Sequence, residues 1–427
     1  MSQTAAEPRT SAPPATLPAG ARLLPETAFI KVDVMFDGVR YTPALGAAAA
    51  ASAPNFYPYR FAPGEPDPTG TGKAAIPYLF TLEDGTLIRI KGNFTSPWHF
   101  EEDGEGGHHL CRDGKPERKI SFVPRPKWLD LHAKDGTSLA RTGAEALGDM
   151  LVINVAPGCQ YFTQKEHGET LRCSFCGYGR PDERMVTLGQ KIDRLALESY
   201  TLPRMQETIA AALATEKIRH VYLVGGSLTD WREEGQRFLG IARAARAVVG
   251  HRAHLSLGSG AIPSDLLKVF KDEDLVDGAC FNLEVWGEAL FKSVCPGKEK
   301  FVGYQRWLAS LYEAARLFGK GNVYTALVCG VELEPEHGGL SIDEGIANAM
   351  TGARELISHG VIPLWSMYWP IWGMTHPERL PALRAYYEQL NAAYAELRKE
   401  LCVKISEQFQ CRGCAYMQLE VDLDRGW

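Results

Sequence analysis

The sequence lacks a long apolar run. Its longest aliphatic and aromatic stretch, residues 361–374, falls short of the roughly 20 residues that a membrane-spanning helix needs. The alanine-rich run at 44–53 is fenced by prolines and too weakly apolar to insert. No sign of charge dominates: 46 Lys and Arg stand against 52 Asp and Glu, a net of −6, which argues against a surface that coats nucleic acid. A secretory start is missing too, because the first 27 residues are rich in Ala, Pro, Ser and Thr, with no apolar core and no basic beginning. Cysteine is scarce, ten in 427 residues, too few for a secreted disulfide scaffold. A cytoplasmic, reducing location is the expectation, and there close cysteines mean metal or redox chemistry more often than disulfides. What is present, 45% hydrophobic and 23% charged residues, is the make-up of an ordinary globular protein.

Residues 1–27 read as a disordered arm, too polar and proline-rich to offset the entropy of ordering. Residues 28–140 read as a β-rich N-terminal domain. Short apolar alternations at 29–34 and 76–81 are punctuated by Asp37-Gly38, Asp84-Gly85 and Asp113-Gly114, and 79–92 reads as a hairpin turning at Asp84-Gly85. The rhythm then changes. Over 141–375 apolar strands at 151–156, 221–224, 253–257, 279–283, 323–328 and 361–367 alternate with amphipathic helices at 203–217, 232–249 and 304–318. Six strand–helix units predict an α/β fold, a partial (β/α)6 TIM-like barrel, with a flat doubly wound sheet as the alternative. Residues 376–427 form a C-terminal extension that carries cysteines. In such a barrel the active site lies in the loops after the strands.

Six cysteines fall into two groups. Cys159 follows the first strand, with thirteen residues before Cys173 and two more before Cys176. Three thiolates suit a four-iron cubane that keeps one iron free of protein ligands. A zinc knuckle using His167 from the intervening loop, a simple redox pair and inert thiols are the alternatives. After the second strand comes Gly225-Gly226-Ser227, where glycines allow close backbone approach to a ligand. After the fourth come Asn282 and Glu284 on one face, and the fifth ends at Gly330-Val331-Glu332.

These elements together resemble the radical S-adenosylmethionine superfamily. They comprise cluster cysteines after strand one, Phe175 just before the third cysteine, a glycine pair after strand two, NxE on strand four and GxE closing strand five. The stretch FNLEVWGEALFKSVCPGK is similar to the fourth-strand region of biotin synthase and lipoyl synthase. The chain departs from the common pattern in two places, with an expanded gap between the first two cysteines and GGS where GGE is usual. The resemblance implies that Cys159, Cys173 and Cys176 bind a [4Fe–4S] cluster whose free iron chelates the methionine part of S-adenosylmethionine. Gly225, Gly226 and Ser227 would then meet the amino group, Asn282 and Glu284 the ribose hydroxyls, and Phe175 the adenine. The implied activity is reductive cleavage of S-adenosylmethionine and hydrogen abstraction from a small biosynthetic substrate. It needs a one-electron reductant such as flavodoxin or ferredoxin. A radical enzyme acting on RNA or a peptide, and a zinc-stabilised barrel without radicals, are the competing expectations.

The second group is Cys402, Cys411 and Cys414, again ending in CxxC. An auxiliary iron–sulfur cluster is expected there. Zinc is one alternative. A redox pair of Cys411 and Cys414 is the other, with Cys402 buried as a small hydrophobe. Cys111, Cys280, Cys295 and Cys329 stand alone. Trp365, Tyr368, Trp369 and Trp372 read as pocket lining or core. The basic stretch 115–127 reads as a solvated strand and loop.

Overall fold

The computed structural model describes residues 23–52, 56–61, 63–156, 158–176, 202–368, 377–405 and 411–424. Most of the arm predicted over 1–27 and the residues Trp369 and Trp372 lie outside these. The chain is already packed by its described beginning, since Leu24 is buried and helix α1 (Glu26–Asp37) starts two residues later. Helix α2 (Pro43–Ser52) follows.

Helix α1 corrects the strand expected at 29–34. There Lys31 and Asp33 alternate with Ile30, Val32 and Val34, which mimics the wet and dry faces of a strand. In the fold both charges are buried and paired with distant segments. Lys31 Nζ meets Asp422 Oδ2 at 2.6 Å and the Gln418 carbonyl at 2.8 Å, while Asp33 receives Arg384 at 2.7 Å and Arg112 at 3.2 Å.

Strands β1 (Phe56–Arg60) and β2 (Lys73–Pro77) pair antiparallel. The next five are β3 (Leu79–Leu82), β4 (Leu87–Arg89), β5 (Trp98–Glu102), β6 (His108–Arg112) and β7 (Lys115–Phe122). They form an antiparallel sheet in the order β4-β3-β7-β6-β5. The hairpin β3–β4 turns at the predicted place. Gly85 sits at φ 80°, and the Asp84 carboxylate accepts the Thr86 N–H at 2.8 Å. The basic stretch is the exposed strand β7 and its following loop, with Arg118 paired to Glu26 and Arg125 to Asp130.

The second sheet begins with β8 (Ala144–Leu147) and β9 (Met150–Ala156), joined as a hairpin. After a short hairpin of β10 (Lys165–Glu166) and β11 (Glu169–Thr170), helices and strands alternate. They run α3 (Leu202–Thr215), β12 (His220–Gly225), α4 (Trp231–Val249), β13 (His254–Gly258), α5 (Ser264–Asp272) and β14 (Gly278–Cys280). Next come α6 (Glu288–Val294), α7 (Pro296–Phe301), α8 (Tyr304–Phe318), β15 (Val323–Cys329), α9 (Ile342–Ser358) and β16 (Val361–Met367). The chain then forms α10 (Leu380–Glu400) and α11 (Glu420–Leu423). The order is β16-β15-β14-β13-β12-β9-β8, with parallel pairing everywhere except β8–β9. The fold is therefore mixed α/β around a parallel sheet whose strands lie side by side in chain order. The two larger sheets share one apolar core, in which Phe80 and Phe100 join the same cluster as Leu223, Leu255 and Tyr387.

Hydrogen bonding along the sheet ends at β16, whose free edge is covered by side chains. The Glu420 carboxylate accepts the Trp365 N–H at 2.6 Å. From α10 the Tyr394 hydroxyl donates to the Pro363 carbonyl at 2.9 Å and Tyr387 to the Trp365 carbonyl at 3.3 Å. Pro363 itself is tolerable because an edge strand can spare an N–H. Trp365 packs edge-on against Tyr394 and is buried, so the core reading applies to it. Among the described residues no helix is long and apolar enough to cross a membrane.

Two outcomes follow for stability. Replacing Lys31 by Ala breaks its buried ion pair with Asp422 and should cost about 3–5 kcal/mol in denaturant unfolding. Burial raises the Glu420 carboxyl to about 7, against the bonds and charges that favour its ionised form. A carboxyl raised in the folded state holds its proton longer than in the unfolded chain. Its stabilisation is complete below the unfolded value of 4.5 and fades as pH rises to about 7, by on the order of 3 kcal/mol. Glu420→Gln should flatten that decline when unfolding is compared at pH 5 and pH 7.5.

Candidate functional site

The segment that follows β9 and the turn that follows β12 meet at the carboxyl end of the parallel strands. Strand β12 shifts register against β9 between Val224 and Gly225, so the chain leaves the sheet there. Gly226 then lies so close to its neighbour that an added Cβ would fall 1.9 Å from the Gly158 oxygen and 2.8 Å from the Cys159 Cα. No other residue type fits that approach. The contact is tied by the Gln160 N–H, which donates to the Ser227 carbonyl at 2.9 Å, and by the Gln160 side chain, which accepts the Thr229 N–H at 2.7 Å. Buried Glu234 braces the same corner, accepting the Leu228 N–H at 2.9 Å and the Gly260 N–H at 2.7 Å.

The rest of the cysteine loop lies on the α6–α7 segment. The Gly297 N–H donates to the Leu171 carbonyl at 3.0 Å and the Ser174 N–H to the Val294 carbonyl at 2.9 Å. An added Cβ at Gly297 would meet the Leu171 oxygen at 2.5 Å, so a glycine is needed here as well. Cys173 is buried, while Cys159, Phe175 and Cys176 are half-buried. Burial pushes the Cys159 thiol up to about 11, opposed by the N–H groups of Tyr161 and Ser227. Cys173 is pushed well above the ordinary thiol value by its contact with Cys295 and by burial, and the Lys298 ammonium works against both.

Asn282 and Glu284 follow β14 as expected and are already engaged. Asn282 Oδ1 accepts the Ala326 N–H at 3.2 Å and the Cys280 thiol at 3.1 Å. Glu284 Oε1 pairs with Lys298 Nζ at 2.6 Å, and the same ammonium donates to the Asn282 carbonyl at 2.6 Å. Burial would lower Lys298, but Glu284, Cys173 and Cys295 outweigh it and keep the ammonium charged. Glu284 as it stands is thus one half of an ion pair. Glu332, from the GxE, is buried and accepts from Tyr386 and from the Gly330 N–H. His167 is exposed at the β10–β11 turn and joins no group of metal-binding side chains among the described residues.

The second group is assembled differently from its expected form. Cys411 and Cys414 converge, Sγ to Sγ 2.9 Å, but Cys402 does not join them. It is exposed, at φ 55°, on the turn that ends α10, so the buried-hydrophobe alternative does not hold for it. His220 stands in its place, with Nδ1 3.3 Å from Cys411 Sγ and 3.2 Å from Cys414 Sγ. This centre lies at the opposite end of the strands, since His220 opens β12 and Met150, which touches Cys414, opens β9. Burial would raise Cys411, but Cys414 and His220 overcome it and bring the thiol down to about 6, while Cys414 is pushed well above its ordinary value.

Sequence reasoning missed His220, Cys295 and Lys298. The last two sit in the quoted VCPGK stretch, where a Cys–Lys pair after strand four was a usable signal. Nothing local marks His220, which is one histidine at the start of a strand.

No protein-family model matches the chain, and no curated protein matches it. Among solved structures, a radical SAM methyltransferase from Sphaerobacter thermophilus is similar at 13% identity over 85% of this chain and 82% of that chain, with a TM-score of 0.36. A likeness of that size carries no argument for fold or function.

The glycine contact is testable by itself. Gly226→Ala should lower the melting temperature and speed thiol labelling of Cys159, because the Cys159 backbone must move. Overpacking of this kind costs about 1–3 kcal/mol. Gly240→Ala, on open helix surface with no neighbour within 4 Å, is the control and should leave both readouts unchanged or slightly stabilise the fold.

Proposed function

We propose that the chain is a radical S-adenosylmethionine enzyme, built as a partial (β/α)6 barrel and acting on a small biosynthetic molecule. The observation that carries this proposal is the approach of Gly226 to the Cys159 backbone, which brings the glycine turn and the three-cysteine loop together at the carboxyl end of the sheet.

The residues present fit a multi-iron group better than a single ion. The three cysteines do not gather tightly enough to share one ion. A cubane holds its cysteines further apart than a mononuclear site does. Ser174 Oγ, between Cys173 and Phe175, is buried with no hydrogen-bond partner among the described residues. Cys159, Cys173 and Cys176 would hold a [4Fe–4S] cluster. With S-adenosylmethionine bound, that group supplies one-electron cleavage of the sulfonium and hence hydrogen abstraction from an unactivated C–H bond.

The chain's own part is to bind, orient and exclude water. Gly225, Gly226 and Ser227 would leave room for the amino group of S-adenosylmethionine. Asn282 and Glu284 would meet the ribose hydroxyls, Glu284 through Oε2 because Lys298 holds Oε1. Phe175 would lie against the adenine. Lys298 places a positive charge beside Cys173, which offsets part of the rise that Cys295 and burial cause there. A cytoplasmic location and a flavodoxin- or ferredoxin-type donor complete the proposal, in keeping with ten free cysteines.

Anaerobic purification gives the decisive comparison. A brown protein with iron and sulfide should release 5′-deoxyadenosine from S-adenosylmethionine and dithionite, and Cys176→Ala should reduce that release to background. Colourless protein holding zinc and no iron would overturn the proposal.

A further inference from the structure

We infer that His220, Cys411 and Cys414 form a buried site for one zinc-like divalent ion that fastens the C-terminal segment to the amino end of the parallel sheet. The three donor atoms make a triangle with sides of 2.9, 3.2 and 3.3 Å. An ion about 1.2 Å off that plane lies at the usual zinc distances, about 2.3 Å to both sulfurs and about 2.0 Å to nitrogen, and the sulfurs spread by a little under ~1 Å to open a tetrahedral angle around it. A cubane does not fit, because cysteines on separate irons stand much further apart than 2.9 Å.

The surroundings are those of a metal site. His220 Nε2 lies 2.5 Å from Ser256 Oγ. A proton on Nε2, donated to that hydroxyl, leaves the Nδ1 lone pair facing the two sulfurs, the second-shell arrangement that orients metal-bound imidazoles. Two thiolates and a neutral imidazole cancel the charge of a divalent ion, so the buried site is neutral overall. Two sulfurs with imidazole nitrogen select zinc over oxygen-seeking cations.

The CxxC turn is held independently of any metal. The Arg412 and Gly413 N–H groups both donate to Asp149 Oδ1, at 2.8 and 3.1 Å. Gly413 is required, because an added Cβ would lie 2.2 Å from the Leu147 oxygen. The ion would thus link residues 191 positions apart in the chain. Its role is structural, at the end of the sheet away from Cys159.

Zinc-edge X-ray absorption on the anaerobic holoprotein reads this site whatever iron is present. One zinc per chain with about two sulfurs and one or more light donors is expected, retained in Cys159→Ala/Cys173→Ala/Cys176→Ala and in Cys402→Ser. Cys414→Ser and His220→Ala should lose it, and Ser256→Ala should weaken zinc affinity about 10–100-fold. If the ligand variants do not fold, chelation of the wild type should lower its melting temperature, and added Zn(II) should restore it. Co(II) should restore it too, with a thiolate charge-transfer band. Iron and sulfide in the triple variant would overturn the inference in favour of a second cluster. A metal-free protein with a Cys411–Cys414 disulfide would overturn it in favour of a redox pair. Because the triple variant lacks the first cysteine group, failure here leaves the radical proposal standing, and the reverse also holds.

Discussion

A parallel sheet that does not close on itself leaves a row of peptide groups at its last strand, and these must find partners or water. In this protein that strand is β16, and the C-terminal part of the chain supplies the partners. Two tyrosine hydroxyls from α10 and the Glu420 carboxylate take the place of a neighbouring strand. Side chains able to reach a buried backbone must themselves be buried, so tyrosines and an acid sit in apolar surroundings. Glu420 shows the consequence in its raised carboxyl. Lys31 from α1 and Arg398 from α10 bring positive charge to the same corner, ion-paired to Asp422 and Asp424. The first described helix and the last are joined by that need.

The same arrangement brings the CxxC turn beneath the sheet. Segment 411–424 runs along the edge of β16 and reaches the β8–β9 turn through Asp149. It therefore presents Cys411 and Cys414 to the amino ends of β9 and β12. The other cysteine group sits past the carboxyl ends of these two strands. Polar side chains occupy the space between. Cys280 donates to Asn282, whose carbonyl receives Lys298 beside Cys173. The two cysteine groups thus stand at opposite ends of the same strands.

Elements whose information is local were legible in the sequence. Helix α8 runs over the predicted residues, because its apolar face repeats at helical spacing and Gly319 ends it at φ 92°. The hairpin at Asp84-Gly85 needed only turn chemistry, and the α/β class followed from alternation of strands and helices. Helix α1 was misread because its charges are buried rather than wet, and pattern alone cannot tell one from the other. Cys402 was grouped by nearness in sequence with residues it does not meet in space.

What the chain's order of residues determined by itself was the alternation of strands and helices and the placing of the first cysteine group and the glycine turn after their strands. Those features depend on neighbours a few residues apart, and spacing records them. Tertiary structure alone decided that His220 meets Cys411 and Cys414, that Lys298 holds Glu284, and that Lys31 and Glu420 are buried. Each is a contact between segments whose separation along the chain says nothing of their distance in the fold. Each is stable because a polar group removed from water must find its partner wherever the packing leaves one.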